Sequence, residues 1–307
     1  MDSKLTSNNN KHKIYDCFMY YDEAILLEFR LNYLNKYIDK FVIVECGFFH
    51  NGKKKKFNFN IDKYKNFYEK IIYIKVTTKP KNLLKIKKSD SQDKKNEKHI
   101  LNGYIWDNYQ RNKINDGLKK LDHNDIVIIS DLDEIPKLEN IKFNNIASKI
   151  IFFRQKILFY KFNLEYRDRY WFGSRACKKK YLISPQWLRD VKHKKYRFWR
   201  LDVLFSKKKY LDIYHVKDGG WHFTNLKSPK DIFKKLSNYA HYLEFSYSGL
   251  TIADIKKMIL EKRAIYNHEI DQTRNKFDGK IKLYKFNKKF WPEYLIKKVK
   301  KYKKWII

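Results

Sequence analysis

The stretch Asp125-Ile-Val-Ile-Ile-Ser-Asp-Leu-Asp-Glu-Ile-Pro136 constrains the fold more than any other part of the chain. Ile126 to Ile129 form an unbroken β-branched run with no polar face, so the sequence predicts a strand buried on both sides of a parallel sheet. The run stops in acid. Asp131, Asp133 and Glu134 follow directly, and Pro136 keeps the ladder from simply continuing, which puts a carboxylate cluster just past the carboxyl end of a central strand. Open α/β sheets bind ligands there. In extended chain Asp131 and Asp133 point the same way and share one hard divalent cation. Among 34 acidic residues an Asp-x-Asp pair also arises by chance, as a solvated acidic turn. The buried strand in front favours the site, because carboxylates gathered at an apolar rim repel one another unless a cation lies between them.

With 307 residues, 43% hydrophobic and 17% aromatic, the chain can build a real core in one large α/β domain or two small ones. The net charge of +35 invites a nucleic-acid partner, yet 58 of the 69 basic residues are Lys and only 11 are Arg, the residue that base readers favour. Lys, Asn, Ile and Tyr are enriched together, a bias of the whole chain, so no specific nucleic acid is expected; a polyanionic or anionic-membrane partner is the alternative. Cys17, Cys46 and Cys177 are odd in number and far apart, which fits buried free thiols in a reducing compartment. Residues 1–12 contain no apolar h-region and no run approaches a membrane span, so a cytoplasmic or peripheral-membrane protein is expected. Gly is scarce, at 9 residues, and no Gly-rich phosphate loop is present. Phosphates of a bound nucleotide would therefore be held by metal and cationic side chains.

Residues 1–12 read as a disordered arm, ahead of a single domain over 13–280. Ile14 to Tyr20 reads as a first strand, with Asp22 and Glu23 at the start of a helix, facing the positive end of its dipole. Ala24, Leu27, Leu31 and Leu34 form the helix's apolar stripe, with Arg30 and Asn32 off it. Phe41 to Val44 is a short buried strand ending at Glu45, which completes a right-handed βαβ unit. Residues 47–56 form a loop with an Asn51-Gly52 turn, and Ile71 to Val76 a third strand. Thr77 to Lys98 is Lys-rich and poor in apolar residues, as in a mobile surface excursion. A second amphipathic helix starts near Trp106, with Tyr109, Ile114, Leu118 and Leu121 inward and Arg111 on a solvated face.

Ile150 to Tyr160 and the aromatic segment up to Leu182 predict further strands, antiparallel, on the sheet edge. Tyr210 to Phe223 reads as a strand that turns at Gly219-Gly220 and presents Trp221 and His222, where a His beside a Trp is ordinarily a packed core residue. Ser228-Pro229-Lys230-Asp231 caps a helix with Ile232, Phe233, Leu236, Tyr239, Ala240 and Leu243 on its apolar face, and Thr251-x-x-Asp254 caps another with Ile255, Met258 and Ile259 inward. Residues 281–307 form a basic tail. In it Trp291, Leu295, Val299, Tyr302 and Ile306 alternate with lysines, so 289–307 reads as an amphipathic helix that lies on an anionic membrane or docks on the protein's own core.

Taken in order, Ile14-Tyr-Asp-Cys-Phe-Met-Tyr-Tyr-Asp-Glu23, Leu27-Glu-Phe-Arg-Leu31, Asp39-Lys-Phe-Val-Ile-Val-Glu45, Gln110-Arg-Asn112, Ser130-Asp-Leu-Asp-Glu-Ile-Pro136 and Gly219-Gly-Trp-His-Phe223 resemble glycosyltransferase family 17. That family includes the β-1,4-mannosyl-glycoprotein β-1,4-N-acetylglucosaminyltransferase that adds bisecting GlcNAc. The resemblance implies a GT-A-like α/β fold, a Rossmann-like mixed sheet flanked by helices with a helical C-terminal extension. It also implies a nucleotide-sugar donor, UDP-GlcNAc, a glycan or other hydroxyl acceptor, and inverting transfer without a covalent intermediate. Asp133 becomes a ligand of Mn²⁺ or Mg²⁺, Asp131 a contact to the ribose or to a metal-bound water, and the cation neutralises the leaving diphosphate. His222 becomes a third ligand or a diphosphate contact. Arg111, with Asn112 beside it, becomes a donor-phosphate contact; Glu45 lies near the nucleoside or sugar, and Trp221 joins the donor site. Glu134 or Asp218 is the base that inverting transfer needs. The family's animal enzymes are membrane-anchored and this sequence has no span, so its acceptor need not be an N-glycan.

Two other classes compete. A polyanion- or nucleic-acid-binding protein on an α/β scaffold predicts salt-dependent association through Lys, indifferent to Asp131 and Asp133. A metal-dependent phosphohydrolase or nuclease wants more clustered carboxylates than residues 131–134 offer.

Overall fold

The computed structural model describes residues 12–197, 199–238, 242–267 and 276–307. The arm expected at 1–12 lies, His12 apart, outside the described residues, as do Tyr239, Ala240 and the side chain of Leu243. In chain order the elements are β1 (Ile14–Met19), α1 (Ala24–Leu34), β2 (Lys40–Cys46), β3 (Ile71–Val76), α2 (Gln92–Asn112), β4 (Ile126–Asp131), β5 (Glu134–Pro136), β6 (Ile150–Phe153), β7 (Gln155–Phe159), β8 (Leu164–Trp171) and β9 (Arg175–Lys178). Then follow α3 (Pro185–Asp190), α4 (Leu201–Leu204), β10 (Ile213–Val216), β11 (Gly220–Thr224), α5 (Pro229–Leu236), α6 (Tyr242–Tyr247), α7 (Ile252–Leu260), β12 (Tyr284–Lys285) and α8 (Glu293–Lys297).

A seven-stranded sheet runs β10-β6-β9-β4-β1-β2-β3, and its β4-β1-β2-β3 half is parallel. Alternation sorts its side chains. Phe18, Phe41, Ile43, Ile126 and Ile128 join the core under α1, while Cys17, Val42, Val44, Val127 and Ile129 join the core with Trp106 of α2 and Leu188 of α3. The central strand is thus buried on both faces, as its apolar run predicts, and the three cysteines are buried and free.

The run from Ile150 to Tyr160 does not form one edge. It splits at Arg154: β6 stays in the first sheet and β7 enters a second, five-stranded sheet ordered β12-β8-β7-β11-β5. The stretch 210–223 splits in the same way, with β10 beside β6 and β11 beside β7. Backbone bonds tie the two switches together, Arg154 N to Val216 O at 3.0 Å and Gly219 N to Arg154 O at 2.9 Å. Gly220 has φ of 112°, and a Cβ there would strike the Ile135 carbonyl. Each of β6 and β7 therefore has one parallel and one antiparallel neighbour, where antiparallel pairing alone was expected. The result is a mixed α/β fold of two sheets flanked by helices. Ser228 and Thr251 cap α5 and α7 as read from sequence, and both helices pack on the second sheet.

Two other expectations change. α2 begins at Gln92, capped by Ser91, so the end of the supposed excursion is helical; its first turns are exposed and carry no apolar signal. Residues 281–307 form no continuous amphipathic helix but β12, α8 and 3-10 turns at 288–290 and 303–305. Trp291, Leu295 and Tyr302 are buried in the α1 core, and Asn163 holds Ile307 through two hydrogen bonds of 2.8 and 2.9 Å. Each such side chain gains roughly 1.5–3 kcal/mol from burial, so docking on the protein's own core prevails over a membrane. Among the described residues no helix is long and apolar enough to cross one.

Candidate active site

β4 ends at Asp131, Leu132-Asp133 turns, and Glu134 opens β5, so the acidic motif is the hinge by which the chain passes from one sheet to the other. The chain is not extended there. Asp131 and Asp133 line one cleft but are met by different cationic side chains, Asp131 by Arg111 and Arg189 and Asp133 by His222 and Lys235.

Arg30 builds the turn from behind. Placed off the apolar stripe by sequence, it is fully buried: its Nε and Nη2 grip both oxygens of Asp16 at 2.7 and 2.6 Å. Its Nη1 donates to the carbonyls of Asp131, Leu132 and Glu134 at 3.0, 3.1 and 2.7 Å. A buried guanidinium is costly unless its donors are met, and the turn's carbonyls meet them.

On one flank the acids are held by arginine. Glu134 is buried, and its carboxylate accepts from Arg189 (2.6 and 3.0 Å), Trp171 Nε1 (2.6 Å) and the Asp131 N–H (2.7 Å). Gly173 makes room, since a Cβ there would land on that carboxylate. Arg189 also donates to Asp131 at 2.9 Å, and Arg111 reaches the other Asp131 oxygen at 3.2 Å. Burial alone would raise the Asp131 pKa, but Arg189 and Arg111 bring it below the usual carboxylate value. Arg111 also pairs with Asp107 and bonds Gln186, while Asn112 accepts from the Gln186 N–H at 3.0 Å. Asn112 thereby fixes α3, the helix that carries Arg189.

On the other flank the partners are histidine and lysine. β11 pairs with β5 so that His222 lies opposite Glu134, and the Phe223 N–H donates to Asp133 O at 2.8 Å. This register brings His222 Nε2 to 3.7 Å from Asp133, with Trp171 stacked on the imidazole at 5.0 Å. Lys235 of α5 lies 3.7 Å from Asp133 and 3.3 Å from Glu23. Burial would raise the Asp133 pKa, but His222 and Lys235 hold it far below the usual range. Burial likewise opposes ionisation of Glu23, and Lys235 and Lys227 lower its pKa in spite of it.

Between the flanks lies a cleft of about 250 Å³ at the carboxyl ends of β1 and β4, bounded by Met19, Glu23, His50, Arg111, Asp131, Asp133 and Lys235. It runs on into a narrower arm of about 150 Å³ walled by Tyr20, Tyr21, Phe48 and Phe49. His50 is shared by both; burial, with Arg111 nearby, lowers its pKa, and its Nδ1 is buried without a hydrogen-bond partner.

The other residues expected at the site lie elsewhere. Glu45 is fully buried under the loop after β2, accepting from the N–H groups of Asn58 (2.7 Å) and Phe59 (3.0 Å) and from Tyr73 (2.8 Å). Trp221 is in the core, donating to the Phe290 carbonyl at 3.0 Å. Asp218 is exposed, pairs with Lys137 and lines a different cleft, beside Lys217 and Tyr214.

Sequence reasoning missed Arg30, Arg189, Lys235, Glu23 and His50 as site residues. Composition held a signal for two of them: in a chain with 11 Arg, three, at 30, 111 and 189, converge on one turn. Lys235 carried no such signal among 58 lysines.

Among the described residues no three His, Cys, Asp or Glu side chains converge to cage a metal. Asp133 nevertheless suits a hard cation that rides on one carboxylate and is completed by phosphate oxygens, the habit of Mg²⁺, while His222 Nε2, 3.7 Å away, adds an imidazole nitrogen that suits a transition metal rather than Mg²⁺.

A cleft at the carboxyl ends of parallel strands, aromatic at one end and rich in acids and cations at the other, belongs to an α/β enzyme that handles an anionic ligand. The chain belongs to glycosyltransferase family 17, whose family model matches residues 4–305, so it is a glycosyl-transferring enzyme. No curated protein and no solved structure matches it.

Proposed function

We propose that the enzyme transfers GlcNAc from UDP-GlcNAc to a hydroxyl of a glycan, with inversion, on a GT-A-like scaffold that uses Mn²⁺ or Mg²⁺. The observation that carries this is Asp133, held ionised beside His222 at the mouth of a cleft whose other end is aromatic. Asp133 and His222 would hold the cation, which supplies Lewis-acid neutralisation of the departing diphosphate. Lys235 and Arg111 line the same cleft and orient phosphate oxygens. Tyr20, Tyr21 and Phe48 offer the base a stacking slot, and His50 offers the donor a hydrogen bond from an imidazole kept neutral. Arg30 and Arg189 touch no substrate in this scheme and position the turn.

The base is Glu23. Glu134 has both oxygens taken by Arg189, Trp171 and a backbone N–H, and Asp218 stands in another cleft. Glu23 lines the cleft with Lys235 and Lys227 against it. A diphosphate that draws Lys235 away would relieve the charge that lowers the Glu23 pKa and make it a stronger base.

Thermal unfolding with a panel of nucleotide sugars, with and without Mn²⁺, tests the scheme, because a ligand of the native state raises the Tm. UDP-GlcNAc with Mn²⁺ should stabilise above other donors. No response to any nucleotide sugar, beside stabilisation by heparin or DNA, would favour a polyanion binder.

A further inference from the structure

With Trp291, Leu295 and Tyr302 docked, a run of exposed apolar side chains among the described residues lies elsewhere, at 199–205. Here Trp199, Leu201, Leu204 and Phe205 are 55, 68, 63 and 89% exposed. α4 is one short turn whose Val203 alone points inward and pins it to the protein. Scattered exposed Leu residues are ordinary, but four large apolar side chains within seven positions are not.

Charge says what covers them. Residues 192–209 carry eight Lys or Arg against the single acid Asp202. Asp202 engages Arg200 and Lys209, and Lys208 pairs with Asp190 at 2.8 Å, while Lys192, Lys194, Lys195, Arg197 and Lys207 are exposed. An apolar wedge of Trp, Leu and Phe with lysines on both shoulders matches the boundary of an anionic bilayer, with the rings and aliphatic chains among the acyl chains and the cations at the headgroups. A protein partner would need acids around an apolar pocket; a bilayer presents both over any area.

The segment is also fastened to the catalytic half. Trp187 Nε1 donates to the Lys207 carbonyl at 2.5 Å and Lys192 N to the Lys208 carbonyl at 2.7 Å, closing the loop onto α3, which supplies Arg189 and Gln186 to the site. We infer that residues 192–209 dock the enzyme on an anionic lipid surface, with Leu201, Leu204 and Phe205 as the inserted wedge.

Flotation of the full chain with phosphatidylcholine vesicles, and with vesicles that also contain phosphatidylglycerol, tests this. The chain should float with the anionic vesicles only. Replacing Leu204 and Phe205 by Ser should weaken that binding by more than about tenfold, with the Tm unchanged because both side chains are exposed. Lys194→Glu with Lys207→Glu should weaken it comparably, whereas Lys300→Glu with Lys303→Glu in the docked C-terminal segment should cost far less. Equal binding by the Leu204/Phe205 variant would overturn the inference, since attraction would then be delocalised charge. A chain that ignores vesicles yet dissociates from dimer to monomer on the same substitution would overturn it too, and assign the patch to a second copy.

Discussion

The two flanks of the acidic turn hold carboxylates by different means. On the α2–α3 side, Glu134 sits in the fork of Arg189 and Asp131 takes one bond each from Arg189 and Arg111, all at 2.6–3.2 Å, with both Glu134 oxygens engaged. On the α5–β11 side, Asp133 and Glu23 face Lys235, Lys227 and His222 at 3.3–3.7 Å, distances too long for good hydrogen bonds. Planar guanidinium forks fix geometry, whereas a lysine on a flexible stem yields to another cation or a phosphate. The arginine flank is thus built to stay and the lysine flank to exchange. Where a protein must both shape a carboxylate cluster and leave one member open to a ligand, the choice of cation separates the tasks.

Substitutions can break this contrast. The largest effect is expected at Glu23→Gln, which removes the proposed base and should lower transfer by roughly 10²–10⁴-fold while donor-induced stabilisation persists; near-normal turnover would return the base to another carboxylate. Arg189→Met strands a buried Glu134, and chemical denaturation should show a loss of about 3–5 kcal/mol. A change under about 1 kcal/mol there would mean that the arginine flank is no more permanent than the other. Lys235→Met should shift the donor KM by roughly tenfold, the scale of one charge-assisted hydrogen bond, with a smaller loss of stability than Arg189→Met, because Lys227 stays beside Glu23 and His222 beside Asp133.

The smallest effect concerns pH. His50, His193 and His215 have pKa values lowered chiefly by burial, with nearby Arg or Lys adding to it. As pH falls through the ordinary histidine value of 6.5, the unfolded chain takes up protons that the native state refuses, so stability drops from neutral pH toward pH 5. His50→Gln should flatten part of that slope in a Tm-versus-pH series, and an unchanged slope would show that His50 is protonated in the fold.

The sequence made some of this legible. The central strand and its acidic end are local: an apolar run, then acid, then Pro136, and that order alone located the acidic end, though not the turn at Leu132-Asp133. The capped α5 and α7 are local as well. Arg30 was misread because its partners lie 14 positions away at Asp16 and 101 to 104 away in the turn, where no helical periodicity reports them. Arg189 meets Asp131 across 58 positions, and the sequence likewise could not tell which of Glu134 and Asp218 faces the cleft. The sheet switch at Arg154 was missed because the apolar residues on either side read as one run, although Arg154-Gln155-Lys156 interrupt it, and the spacing of Trp291, Leu295 and Tyr302 suited one long helix although a short helix and turns bury the same residues.

The contrast between the flanks rests on Asp133 as the open carboxylate. Turnover of UDP-GlcNAc across a Mn²⁺ titration, for the wild type and Asp133→Asn, tests it most directly. Activity and its metal dependence should vanish together in Asp133→Asn while the Tm without ligand stays near wild type. Asp133→Asn activity that still rises with Mn²⁺ to the wild-type level would contradict it.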